Sequence, residues 1–86
     1  MHAARLLAEA VELAARLGYR IREDILDGAG GGHCMLAGQK WLLLDITQSS
    51  EEQLSDVLDA LRLEAGLWQH TVSPPLAQSL QLTRAA

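Results

Sequence analysis

The sequence predicts an α+β domain in which two amphipathic helices pack on a three-stranded antiparallel sheet, in the order α-β-β-β-α with a short further helix. Three observations predict this fold: apolar residues at helical spacing in two segments, short alternating or apolar runs between them, and glycine-rich turns that separate the runs. The chain has 86 residues, of which 49% are hydrophobic and 21% are charged. Because this length accommodates one hydrophobic core, we expect a single domain over residues 1–86.

The first helix is predicted over residues 3–17. Its apolar positions are Leu6, Leu7, Ala10, Leu13, Ala14 and Leu17. They recur every three or four residues with charged residues on the opposite face, which is the pattern of an amphipathic helix. Gly18 follows and can adopt the left-handed conformation, so we expect the helix to end there.

Three strands are predicted to follow as an antiparallel meander. The first spans residues 19–26, and the glycine-rich stretch 27–32 joins it to a short second strand at 34–37. A two-residue turn at 38–39 then leads into a third strand at 40–46. The third strand is apolar on both faces, so we expect both of its sides to be covered.

The second long helix is predicted to begin after Ser49 or Ser50. Glu52 or Gln53 stands three positions later and completes a capping box. The apolar stripe of this helix ends near Gly66.

A short third helix is predicted over about residues 74–84, because Ser73 is a suitable N-cap and proline is favoured at the first helical position. With two helices on one face of the sheet, the other face is left either to this C-terminal segment or to a second copy of the chain. The sequence keeps both alternatives open.

The charge and hydropathy of the chain limit the classes of partner and the cellular location that we expect for it. Eleven acidic residues stand against seven basic ones, and the arginines are dispersed, which argues against a nucleic-acid partner. The longest near-continuous apolar stretch, residues 41–44, is too short to cross a bilayer, and the N-terminus lacks the pattern of a signal peptide. We therefore expect a bacterial, cytoplasmic protein with no nucleic-acid and no membrane partner.

Cys34 is the single cysteine, so the chain can form no internal disulfide and contains no CxxC motif.

The stretch from Asp27 to Cys34 is the local feature that generic folding does not require. Its candidate ligand-binding residues are Asp27, Gly30, Gly31, Gly32, His33 and Cys34. His33 stands where a dinucleotide loop needs glycine, and the Lys-Ser/Thr of a phosphate loop is absent. Neighbouring residues of a strand point to opposite faces, and the four-ligand spacing of a zinc site is missing. We therefore expect no metal, no cofactor and no catalytic residue, with Cys34 and Leu36 on one core-facing side of a strand.

Large apolar side chains supply the candidate interface. The candidates are Trp41 and Leu43 on the third strand and Trp68 after the second long helix. A domain this small is marginally stable alone and gains stability from association. We expect a homo-oligomer, in the simplest case a dimer.

The glycine loop and its surroundings also carry a resemblance. The segments Leu17–Glu23, Gly30–Cys34, Gly38–Lys40 and Leu43–Asp45 resemble small uncharacterised bacterial α+β proteins with a Gly-Gly-Gly-x-Cys hairpin loop, from which no activity can be transferred. The order of elements is similar to that of minimal zinc-metallopeptidase domains, in which a helix bears HExxH. The corresponding segment here, residues 52–61, contains no histidine, so peptidase activity is not implied.

The function predicted from the sequence is a non-enzymatic binding or interaction module that acts as a homo-oligomer. No motif brings a nucleophile, a base and oxyanion donors together, which disfavours an enzyme. The alternative is a small metal- or ligand-dependent enzyme that uses the glycine-rich loop 27–34, with Asp27, His33 and Cys34 as the residues to test. The ligand, the partner and the sheet face at the interface stay open.

Overall fold

The structure is a computed structural model that describes residues 2–27 and 30–84. The helices are α1 (Ala3–Arg16), α2 (Ser50–Arg62) and α3 (Pro74–Arg84), and the strands are β1 (Arg20–Asp24), β2 (Gly32–Leu36) and β3 (Gln39–Asp45). A 3-10 helix, Leu67–Gln69, lies between α2 and α3. The predicted α+β class is thus confirmed, with the 3-10 helix as an additional element.

The sheet is mixed, and β3 lies at its centre between β1 and β2. β1 runs parallel to β3, with Arg20 opposite Trp41. β2 runs antiparallel to β3, with Leu36 opposite Gln39. The predicted purely antiparallel sheet is therefore wrong, and so is its meander order of strands.

The composition of the strands explains this order. β3 is apolar on both faces from Trp41 to Leu44, and an apolar strand at the edge of a sheet offers its free backbone groups to other chains, so β3 suits the centre. β1 reads Arg-Ile-Arg-Glu-Asp, and its four charged residues suit an edge that meets water. A meander would have put β2 at the centre and exposed one edge of the most apolar strand.

The turn between β2 and β3 lies one residue earlier than predicted. It is formed by Ala37 and Gly38, whose φ angles of 52° and 78° are both positive, as in a type I′ turn. Leu36 and Gln39 flank this turn and face each other across the hairpin. The turn therefore sets the register of β2 on β3.

The hydrophobic core lies between the helices and one face of the sheet. Leu42 and Leu44 enter it from β3 and are buried. The helices contribute buried residues from three elements: Ala10, Leu13 and Ala14 of α1, Leu54, Val57, Leu58, Ala60 and Leu61 of α2, and Leu76 and Leu80 of α3. Because α3 packs against α1 and α2, it extends the helical layer instead of covering the second face of the sheet.

The helix ends follow the local sequence. The Ser49 side chain accepts a hydrogen bond from the Glu52 backbone N–H, and the Glu52 carboxylate accepts one from the Ser49 N–H, which confirms the capping box. Gly18 follows α1 with a φ of 101°, as expected for a glycine that ends a helix. In the described part of the chain, no helix has both the length and the apolar composition that crossing a bilayer requires.

Lys40 joins the end of α1 to the start of β3 and to the segment after α2. Its Nζ donates to the Leu17 carbonyl oxygen at 2.7 Å and to Glu64 Oε1 at 2.9 Å, and it lies 4.8 Å from the centre of the Tyr19 ring. The Tyr19 hydroxyl donates to Glu64 Oε2 at 3.1 Å. Burial is the largest cause that raises the pKa of Tyr19, and this hydrogen bond and the negative charge of Glu64 raise it further, to about 12. One ammonium group thus holds three parts of the chain together.

Replacing Lys40 with methionine tests this junction. The variant keeps an unbranched apolar stem but leaves the partly buried Glu64 without its cation, so we expect the free energy of unfolding to fall by about 1–3 kcal/mol in urea titrations. Arg16→Met is the matched control, because Arg16 forms an exposed ion pair with Glu12 at 2.9 Å. We expect the control to lose less than about 1 kcal/mol. Equal losses in the two variants would contradict a special role for Lys40.

Candidate functional site

Asp45, the last residue of β3, anchors the glycine-rich loop. Its side chain is buried, and its carboxylate accepts hydrogen bonds from the backbone N–H groups of Leu26 and Gly30, both at 3.2 Å. Thr47 donates to it through its N–H at 3.0 Å and its hydroxyl at 2.6 Å. The hydrogen bond from the Thr47 hydroxyl is the main cause that lowers the pKa of Asp45, and the backbone N–H bonds act in the same direction. Burial acts in the opposite direction, and the net result is a pKa of about 2. The ionised carboxylate therefore binds Leu26 and Gly30, one from each side of the glycine-rich turn, to the end of β3.

Gly31 is the place where the loop backbone meets β3 most closely. A Cβ at this position would overlap the Leu43 carbonyl oxygen and lie 2.8 Å from the Leu43 carbonyl carbon. The Gly31 N–H donates to Asp56 Oδ2 at 3.3 Å, which connects the loop to α2. The close approach explains why glycine is required here, and the N–H groups of Gly30 and Gly31 both donate to carboxylates of the chain itself.

The other candidate residues of the loop are spread over its length. Asp27 is exposed at a turn with a φ of 55°, and Gly32 begins β2. Residues 28 and 29 of the predicted loop lie outside the described residues. Within residues 2–27 and 30–84, no group of three or more His, Cys, Asp and Glu side chains is arranged to hold a metal ion.

His33 and Cys34 lie on opposite faces of β2. His33 is opposite Leu42 and Cys34 is opposite Trp41, so the two side chains diverge, as the strand pattern predicts. Both side chains are exposed. The register does not bring a base from His33 to the Cys34 thiol.

The second face of the sheet carries two of the candidate interface residues. Because Leu42 and Leu44 point into the core, Trp41 and Leu43 point to the opposite face, which we call the outer face. Its residues are Arg20, Arg22, Asp24, Gly32, Cys34, Leu36, Gln39, Trp41, Leu43 and Asp45. The expectation that Cys34 faces the core is wrong, because the register places Cys34 opposite Trp41 and not beside the core-facing leucines.

The outer face is charged on one side and apolar on the other. On the β1 side, the Arg20 guanidinium lies 5.8 Å from the centre of the Trp41 ring and donates to Gln39 Oε1 at 2.9 Å. On the β2 side, Cys34 and Leu36 are exposed beside half-buried Trp41 and Leu43. We call the group Cys34, Leu36, Trp41 and Leu43 the apolar corner.

Trp68, the third interface candidate, lies elsewhere. It belongs to the 3-10 helix, is 49% exposed and borders a small cavity with Arg62 and Leu80 on the helical side of the molecule. The structure therefore does not bring Trp68 together with Trp41 and Leu43.

A surface cavity of about 530 Å³ lies between α1 and the start of α3. Its lining residues are His2, Arg5, Leu6, Glu9, Ser73 and Pro75. The Glu9 carboxylate accepts from the Ser73 hydroxyl at 2.6 Å and from the Ser73 N–H at 2.9 Å, so this pair clasps α3 to α1.

Sequence reasoning missed both the Glu9–Ser73 clasp and the Asp45 anchor. The clasp joins residues 64 positions apart, and no local spacing signals such a contact. The anchor has a weak local signal, since Asp45 stands directly after three leucines at the end of an apolar strand. A carboxylate in that place must find donors if it is buried.

Comparison of the chain with models of protein families, with curated proteins and with solved structures gives no match. The resemblances drawn from the sequence therefore stay predictions.

Gly31→Ala tests the close approach of the loop to β3. The added Cβ would overlap the Leu43 carbonyl, so we expect the free energy of unfolding to fall by about 2 kcal/mol or more. Gly66→Ala is the matched control, since its Cβ would meet its nearest atoms at 3.8 and 3.9 Å, an ordinary contact. Urea titrations that show the same stability for both variants would refute the required close approach.

The Asp45 anchor predicts a pH dependence of stability. A carboxyl whose pKa is lowered by folding stabilises the native state fully above its ordinary pKa of 3.8, and this contribution is lost as the pH falls through about 2. Asp45→Asn removes the titrating group. The free energy of unfolding of the wild type should therefore fall more steeply than that of the variant between about pH 4 and about pH 2. Urea titrations at several pH values measure both slopes. Parallel curves would show that Asp45 does not stabilise the loop through its charge.

Proposed function

We propose that the protein is a non-enzymatic interaction module that works as a homo-oligomer, and that its copies associate through the apolar corner. The observation that carries this proposal is the exposure of Cys34 and Leu36 beside half-buried Trp41 and Leu43 on one side of the sheet. Contiguous apolar surface of this kind, bordered by polar residues, is typical of protein interaction sites.

The packing of the helices supports a partner on this face. The core is formed between the helical layer and the inner face of the sheet, and α3 packs on α1 and α2. No described helix is therefore left to cover the apolar corner. A second copy suits it, because the corner contains no charged side chain and self-association would bring no like charges into contact.

The contacts of the glycine-rich loop favour a structural role over the small metal- or ligand-dependent enzyme. The Gly30 and Gly31 N–H groups donate to Asp45 and Asp56, and Gly31 is needed for the close approach to β3. The cavity of about 530 Å³ is lined by residues of α1 and the start of α3, none of which belongs to the loop. These contacts account for the unusual sequence of the loop without a bound group. We place the protein in the cytoplasm, where an exposed unpaired thiol such as that of Cys34 stays reduced.

Leu36→Glu tests the apolar corner. Leu36 and Leu63 are 64% and 66% exposed, so a glutamate at either position costs the folded monomer little, and Leu63→Glu on the helical side is the matched control. We expect the wild type and Leu63→Glu to be dimers in native mass spectrometry and light scattering. We expect Leu36→Glu to raise the dimer Kd at least about tenfold.

Circular dichroism and the melting temperature establish that both variants are folded. A wild-type protein that stays monomeric at about 100 μM would overturn the proposed function, since that concentration corresponds to only about 5.5 kcal/mol of association. Equal dimerisation of the two glutamate variants would remove the apolar corner from the interface.

A further inference from the structure

We propose that two copies pair edge to edge through β2, antiparallel and across a two-fold axis at Cys34, so that two three-stranded sheets become one six-stranded sheet. This inference rests on the proposed function, because it specifies the register in which Cys34 and Leu36 of the apolar corner meet the second copy, with Trp41 and Leu43 one strand further from the axis. It follows from the difference between the two edges of the sheet, from the free backbone groups of β2 and from the length of that strand.

The two edges of the sheet differ in charge. β1 carries four charged residues out of five, a composition that natural proteins use to prevent strands of other molecules from pairing. β2 carries neither lysine, arginine, aspartate, glutamate nor proline. Its residues from His33 to Leu36 are exposed, with Met35 66% and Leu36 64% exposed. β2 is therefore the unprotected edge.

The hairpin determines which backbone groups of β2 are free. Leu36 and Gln39 flank the two-residue turn as the first and last residues of a four-residue β-turn, and such a pair is hydrogen-bonded. Bonded and non-bonded pairs alternate along an antiparallel ladder, so Cys34 also bonds to β3. The N–H and C=O groups of His33 and Met35 consequently point to the free edge and provide two donors and two acceptors.

The length of β2 selects the register. Two identical five-residue strands overlap completely in antiparallel pairing only when the middle residue, Cys34, faces its own copy. His33 then faces Met35 of the second copy and exchanges two hydrogen bonds with it, and the symmetric pair adds two more. In this register Cys34 occupies a non-hydrogen-bonded position with its Cα atom about 4.5 Å from that of its copy. That distance lies within the range of about 4.4–6.8 Å in which disulfides form.

The distribution of charge is compatible with this pairing. The strand order β1-β3-β2 places the charged β1 at the greatest distance from the axis. At about 4.8 Å per strand, the two β1 strands of the six-stranded sheet would be about 24 Å apart, which is well beyond the screening length of about 8 Å at physiological salt. The arrangement also closes at two copies, whereas pairing of β2 with β1 would continue into a fibre.

Cys34 itself reports the register. Diamide accepts the two electrons and two protons that two thiols release when their S–S bond forms, and it is thereby reduced to its hydrazine. We expect diamide to convert more than about half of the wild-type dimer into a disulfide-linked dimer, because the two Cα atoms lie within disulfide range. Non-reducing electrophoresis and mass spectrometry measure the product.

The matched control moves the thiol away from β2 to the helical side of the molecule. In the double variant Cys34→Ser/Leu63→Cys, serine replaces Cys34 at nearly the same size, and the new thiol stands at position 63, where Leu63 is 66% exposed. We expect this variant to form little cross-linked product, because its thiol lies outside the paired β2 strands. Equal cross-linking of both proteins would indicate random collisions and would overturn the register.

Met35→Pro tests the backbone pairing without using the thiol. Proline removes an N–H that points to the free edge and takes no part in the β2–β3 ladder, so the monomer should keep its fold. We expect the dimer Kd to rise at least about tenfold in this variant. Met35→Ala is the control that loses the side chain but keeps the N–H. We expect its dimer Kd to be lower than that of Met35→Pro.

The outcomes separate this inference from the proposed function. A protein that is monomeric at every concentration overturns both. A dimer that Leu36→Glu dissociates, but that tolerates Met35→Pro and does not cross-link through Cys34, retains the apolar corner as the interface and overturns the β2 pairing. A dimer that cross-links through Cys34 and is lost in Met35→Pro supports both.

Discussion

The apolar character of β3 on both faces is the constraint on which the rest of the structure depends. A strand with Trp41 and Leu43 on one side and Leu42 and Leu44 on the other is most stable where neighbours protect both of its edges, so it takes the centre of the sheet. The charged β1 and the short β2 are then left as edges. This arrangement gives the molecule one face that the helices cover and one face that they do not.

The glycine-rich loop shows how one chemical property can be used in two ways. Three consecutive glycines suggest a backbone that approaches a ligand, because glycine lacks a Cβ. In the structure the same property lets the loop approach the Leu43 carbonyl, and Asp45 holds the loop in that position through Leu26 and Gly30. The buried carboxylate stabilises the fold because several donors surround it, as burial of an ionised group requires.

The contrast between the two edges of the sheet connects the fold to the proposed function. Arginine and acidic residues on β1 keep that edge in water, while β2 has only His33, Cys34, Met35 and Leu36 between its first glycine and the turn. The apolar corner adjoins this unprotected edge, and the charged half of the outer face, with Arg20 over Trp41, lies on the far side. Surface chemistry and strand order thus both favour the same side of the molecule for the proposed association.

The sequence by itself determined the local elements and the ends that are marked by caps, such as the stop at Gly18 and the capping box of Ser49 and Glu52, because caps and helical spacing act over a few residues. It also placed His33 and Cys34 on opposite faces of one strand. Only the tertiary structure decided that β1 pairs in parallel with β3 and that Cys34 faces outward, since a period of two tells which residues share a face but not which strand lies beside them. The Asp45 anchor was decided at the same level, because its donors are brought together only when the sheet and the loop pack.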